Sequence, residues 1–97
     1  MQYFYRAHCS PEAALDAARD FFGSRSFAKG WSGADRQRFT DHRGSVDVRI
    51  EGEGGHYTRV TVATAEVGES ELDRLARRFL AELHAREAPR HVVRGAY

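Results

Sequence analysis

The stretch Ser70-Glu71-Leu72-Asp73-Arg74-Leu75-Ala76-Arg77-Arg78-Phe79-Leu80-Ala81-Glu82-Leu83-His84-Ala85-Arg86 decides the fold of this chain. Leu72, Leu75, Ala76, Phe79, Leu80 and Leu83 recur at intervals of three and four residues, which lays one apolar stripe along an α-helix. Such a stripe has to lie on an apolar surface. Ser70-Glu71-Leu72-Asp73 has the box pattern of a helix start. A helix over this span is about 26 Å long at about 1.5 Å per residue, enough to cross several strands. Pro89 is expected to end it, leaving residues 89–97 as a tail behind a single domain spanning 1–88.

The segments before this helix supply the surface. Val46, Val48 and Ile50 alternate with Asp47, Arg49 and Glu51, a strand with one buried face. After the turn Gly52-Glu53-Gly54-Gly55, a partner strand from His56 to Ala65 puts Thr58, Val60, Val62 and Thr64 on one side and Tyr57, Arg59, Thr61 and Ala63 on the other. Residues Gln2 to Cys9 alternate in the same way, with Tyr3, Tyr5, Ala7 and Cys9 on one side. Ser10 as N-cap, Pro11 at the first helical position and Glu12 open a helix that carries Leu15, Ala18, Phe21 and Phe22 on one face and ends at Gly23. Between Phe27 and Arg43, Phe27-Ala28-Lys29-Gly30-Trp31 and Arg36-Gln37-Arg38-Phe39-Thr40 read as a hairpin. The expected class is therefore α+β, an antiparallel sheet in the order β-α-β-β-β-β-α with both helices on one face. If residues 90–94 formed an edge strand and the central hairpin were an insertion, the order would instead be ferredoxin-like.

This order resembles the fold of the TATA-binding-protein repeat and of the helix-grip proteins, the START, Bet v 1 and polyketide-cyclase-like group. The likeness is carried by the strand Gly44-Ser45-Val46-Asp47-Val48, the strand Thr58-Arg59-Val60-Thr61-Val62 and the terminal helix. It implies an apolar or aromatic small molecule held between sheet and C-terminal helix, with Tyr3, Tyr5, Trp31, Phe39, Leu75 and Phe79 as candidate ligand contacts. It also implies a third reading, an enzyme of the polyketide-cyclase kind drawing on Tyr3, Tyr5, His42 or Asp41 as acid/base groups. The chain is shorter than typical members of that group, which argues for a small pocket or one shared between subunits.

Composition removes other classes. Fifteen basic and fourteen acidic side chains give a formal charge of +1, without the basic excess of a dedicated nucleic-acid binder. The single cysteine, Cys9, permits no internal disulfide and no cysteine-based zinc or dithiol motif, and no apolar run reaches signal-peptide or membrane-span length. A cytoplasmic setting is the expectation. His8, His42, His56, His84 and His91 show no metal-binding spacing, so neither a metal nor another cofactor is expected. Cys9 shares the inward parity of Tyr3 and Tyr5 and reads as a small buried thiol rather than a nucleophile. The glycines of Gly52-Glu53-Gly54-Gly55 precede neither Lys-Ser/Thr nor a helix, and so cannot cradle a phosphate. On the sheet face away from the helices, parity gathers Phe4, Arg6, His8, Arg49, Tyr57 and Arg59 with Asp47 and Glu51. That mixture suits a second copy of the chain better than a nucleic acid. A homodimeric interaction protein without ligand or catalysis is thus the alternative function.

Overall fold

The computed structural model of the 97-residue chain describes residues 1–65 and 70–95, with side chains to residue 87. Its elements are β1 (Gln2–Ala7), α1 (Pro11–Gly23), β2 (Ala28–Ser32), β3 (Arg36–Asp41), β4 (Gly44–Glu53), β5 (Tyr57–Thr64) and α2 (Glu71–Gly95). The strands form one antiparallel sheet in the order β1-β5-β4-β3-β2. β1 therefore pairs with the last strand, not with its nearest neighbour in sequence, and α1 makes the crossing over the sheet. Both helices lie on the same face, as expected for the α+β class.

Local chemistry fixes each boundary. Ser10 Oγ accepts the Ala13 N–H at 3.1 Å and caps α1, with Pro11 in the first turn, where its missing donor costs nothing. Between β4 and β5 the His56 N–H donates to the Glu53 carbonyl, and Gly54 and Gly55 at φ of 60° and 75° fill the two central turn positions that require positive φ. At α2 the box is reciprocal: the Asp73 N–H donates to Ser70 Oγ, and the Ser70 N–H donates to Asp73 Oδ2, both at 3.2 Å.

The core is built around Phe22. Its ring stacks on Phe39 with centroids 4.8 Å apart and meets Phe21, Phe27 and Phe79 at tilted or edge angles. Val46, Val48, Ile50, Val60 and Val62 form the sheet side of this core, and Leu72, Ala76, Phe79, Leu80 and Leu83 bring the stripe of α2 onto it.

Two expectations need correction. α2 continues past Pro89 to Gly95, so Pro89 does not end the helix and the backbone of residues 89–95 is helical; Ala96 and Tyr97 lie outside the described residues. A proline costs the helix one hydrogen bond, that to the carbonyl of Ala85, and can leave the following turns helical. The edge strand of the ferredoxin-like order is thereby replaced by helix. Trp31 was expected inside with Phe39, but it lies on the outer face. Lys29 pairs with Phe39 and Ser32 with Gln37, so β2 spends three residues where β3 spends two, and this bulge reverses the parity.

Candidate functional site

The sheet face away from the helices carries the exposed aromatics. Phe4 on β1, Trp31 on β2 and Tyr57 at the start of β5 are 55%, 44% and 46% exposed. Register places charged rows between them: Arg38 opposite Asp47, Arg36 opposite Arg49, and Glu51 opposite Arg59, which in turn faces Arg6. Some of these charges are matched. Arg38 binds Asp47 through two parallel bonds of 2.7 and 3.0 Å, which raises the guanidinium's already high pKa through that hydrogen-bonded contact, and Arg6 reaches Glu53 at 3.1 Å. Others are less so. The Arg59 guanidinium lies 4.4 Å from the Phe4 ring centre, and its buried Nε has no hydrogen-bond partner among the described residues. Arg36 and Arg49, like charges directly opposed, are paired at longer range, with Asp35 at 3.5 Å and Glu51 at 3.6 Å. Beside them lies a half-open concavity of about 230 Å³, whose lining includes Gln2, Trp31, Arg36, Asp47, Arg49 and Thr61.

A second constellation fastens α2 to β1. The Tyr5 hydroxyl donates to Glu87 Oε1 at 2.5 Å, and its oxygen lies 3.2 Å from His84 Nδ1. Because the one phenol proton goes to Glu87, the oxygen is left to accept from an Nδ1–H tautomer of His84. Glu87 Oε2 accepts the backbone N–H groups of His8 and Cys9 at 2.7 and 3.0 Å. Burial, and after it the Glu87 carboxylate, pushes the Tyr5 phenol and the Cys9 thiol above their ordinary ranges. Both groups therefore stay protonated at neutral pH. A protonated thiol held beside a carboxylate is a poor nucleophile, so this cluster acts as a tether.

Of the residues singled out from sequence for ligand contact, the structure gathers five in or against one core and sets Trp31 apart from them. Phe39 and Phe79 are buried in the aromatic core; Tyr3 and Leu75 are partly buried against it; Tyr5 is committed to Glu87; Trp31 faces out on the far side of the sheet. The space between the helices bounded by Ala17, Phe21, Phe79 and Leu83 has no volume that a water molecule could occupy. Among the described residues, no three His, Cys, Asp or Glu side chains gather as metal ligands would, and no helix is long and apolar enough to cross a membrane.

Sequence reasoning placed Asp73 in the helix-start box but missed its burial, and it missed the role of Glu87. Both fall on the stripe itself, in the series 73, 76, 80, 83 and 87, and a carboxylate at core-facing spacing was the signal. Asp73 is fully buried and accepts Thr64 Oγ1–H at 2.7 Å. Burial alone would raise its pKa, but the hydrogen bonds from Thr64 and Ser70 outweigh that and hold it below the ordinary carboxylate range.

Together these features define a small α+β domain with one sheet face covered by helices and the other open. No family model matches this chain, and no curated protein is significantly similar to it.

Proposed function

We propose that this chain is an interaction protein that forms a homodimer through its open sheet face. The observation that carries the proposal is the placement of Phe4, Trp31 and Tyr57, each about half exposed, on the one face that no helix covers. Phe4 on β1 and Trp31 on β2 stand at opposite edges of the sheet, so these aromatics are spread across the whole face, and interface cores are enriched in residues of this kind. Charge favours a second copy as the occupant. Arg6, Arg36, Arg38, Arg49 and Arg59 are interleaved with Asp47, Glu51 and Glu53, so that a twofold arrangement can set arginines of one copy against carboxylates of the other. A nucleic acid would meet those carboxylates as repulsion. The sheet, five strands at about 4.8 Å spacing and roughly seven residues at about 3.3 Å each, has a footprint of roughly 550 Å², within a factor of two of the about 800 Å² each partner gives to a standard interface.

The other reading, an apolar small molecule between sheet and α2, is supported by the helix-grip resemblance. The geometry favours the interface, because Phe39 and Phe79 close the core on each other's neighbours and Trp31 faces away from α2. Light scattering on untagged protein at tens of micromolar decides the matter. The expected mass is twice the 11.0 kDa of one chain. A single-chain mass at that concentration would overturn the dimer, and retention of a single-stranded oligonucleotide by that monomer would assign the face to nucleic acid.

A further inference from the structure

We propose that the concavity beside Trp31 binds a small planar aromatic carboxylate, with its ring against the indole and its carboxylate between Arg36 and Arg49. This goes beyond the proposed interface and uses residues of one copy only; a second copy seated over Trp31 would compete with such a ligand for the same face.

The chemistry follows from which charges are already spent. Arg38 and Asp47 neutralise each other through two close parallel bonds, so neither presents a strong field to the groove. Arg36 and Arg49 remain. They stand directly opposite each other across β3 and β4, and the carboxylates near them, Asp35 and Glu51, are more than half exposed and lie at distances longer than a well-formed bidentate pair. Two like charges held opposite each other destabilise a sheet unless an anion comes between them. The anion that suits guanidinium forks best is flat and bidentate, a carboxylate or a phosphate. Trp31 selects within that pair. It is an exposed aromatic wall 5.4 Å from Arg38 and 5.8 Å from Arg36, at the far end of cation–π range, so neither guanidinium caps its ring closely. A volume of about 230 Å³ is below that of sites for drug-sized ligands and admits one or two fused rings with a single acidic group.

The test is calorimetric titration of untagged protein with 2-naphthoate and with its neutral isostere 2-naphthamide, with the light-scattering mass measured on the same sample. Saturable binding of the acid at least about tenfold tighter than that of the amide is expected, because the amide keeps the ring and loses the charge. Arg49→Gln should weaken naphthoate by about tenfold and leave the amide unchanged, and Trp31→Ala should weaken both; circular dichroism of these surface variants should match the parent. Equal binding of acid and amide, absence of saturable binding, or indifference to Arg49→Gln would overturn the proposal. Naphthoate bound by a monomer supports the groove and removes the interface, whereas a dimer that ignores naphthoate removes the groove and leaves the interface standing.

Discussion

Glu87 is the residue through which three distant parts of the chain are held together. Its two oxygens serve the phenol of Tyr5 on β1 and the backbone N–H groups of His8 and Cys9 in the turn before α1, so α2, β1 and the start of α1 meet at one carboxylate. That placement has a readable consequence in Cys9, the chain's only cysteine. Burial and the Glu87 charge raise the thiol's pKa, and a raised folded-state pKa gives stability that is present below the unfolded value of about 8.5 and is lost as pH rises through the folded one. Tyr5 adds to the alkaline loss in the same direction from its unfolded value of about 10. Melting temperature should therefore fall between about pH 8 and about pH 11. Glu87→Gln keeps the shape and removes the charge. It should make this alkaline fall shallower, move the pH profile of iodoacetamide labelling of Cys9 downward, and cost about 1 to 3 kcal/mol at neutral pH. A labelling profile unchanged by Glu87→Gln would show that the carboxylate does not govern the thiol. Little of this was visible in the sequence, where Glu87 reads as one more helix charge beside His84. Only its spacing from Leu83 sets it on the inward face, and its partners come from residues more than seventy positions away.

At the scale of elements, the segments whose own pattern agrees with their packing were legible and those that depend on a partner were not. Val46-Asp47-Val48-Arg49-Ile50 alternates because one face is buried and the other open, and its register with β5 keeps that parity unbroken from Val46 to Glu53. α1 carries its cap, its proline and its aromatic face within thirteen residues. β2 has no such pattern: all five of its residues are exposed, and its bulge is defined by β3, not by its own sequence. The side chain that holds the bulge is Gln37, which is 1% exposed and whose Nε2 donates to the carbonyls of Trp31 and Arg38 at 3.3 and 3.0 Å. Gln37→Leu keeps similar bulk but leaves those carbonyls without this donor. The expected outcome is a loss of about 1 to 3 kcal/mol in urea unfolding and a shifted emission maximum of Trp31, the only tryptophan. Unchanged stability together with unchanged emission would mean that backbone pairing alone sets the bulge. The end of α2 was misread for a related reason: a proline in sequence announces a lost hydrogen bond, and the cost of about 3 kcal/mol does not decide whether the following turn remains helical.

At the scale of the molecule, the two faces of the sheet have had different demands placed on them. The inner face is spent on the core, where the Phe22 cluster and the α2 stripe leave Phe39 and Phe79 at most 2% exposed. The outer face keeps three large aromatics in water, at a hydrophobic cost of about 25 cal/mol for each Å² of apolar surface that burial would remove. Parity alone foretold Phe4 and Tyr57 there, while Trp31 joined them only through the bulge, so the sequence showed part of the patch and understated it. If a second copy covers this face, folding and association are linked, and the melting temperature must rise with protein concentration. Phe4→Glu then separates the two contributions. Phe4 is 55% exposed and lies outside the buried core, so the substitution should leave the circular dichroism of the fold unchanged. In a dimer it removes two aromatic rings from the interface and puts in their place carboxylates that must be desolvated beside Arg59, which should shift the light-scattering mass to that of one chain and abolish the concentration dependence of melting. At high dilution, where both proteins are monomers, parent and variant should melt within about 1 kcal/mol of each other. A parent whose melting is independent of concentration, or a Phe4→Glu variant that keeps the parent's mass, would place the contacts of this protein on some other surface.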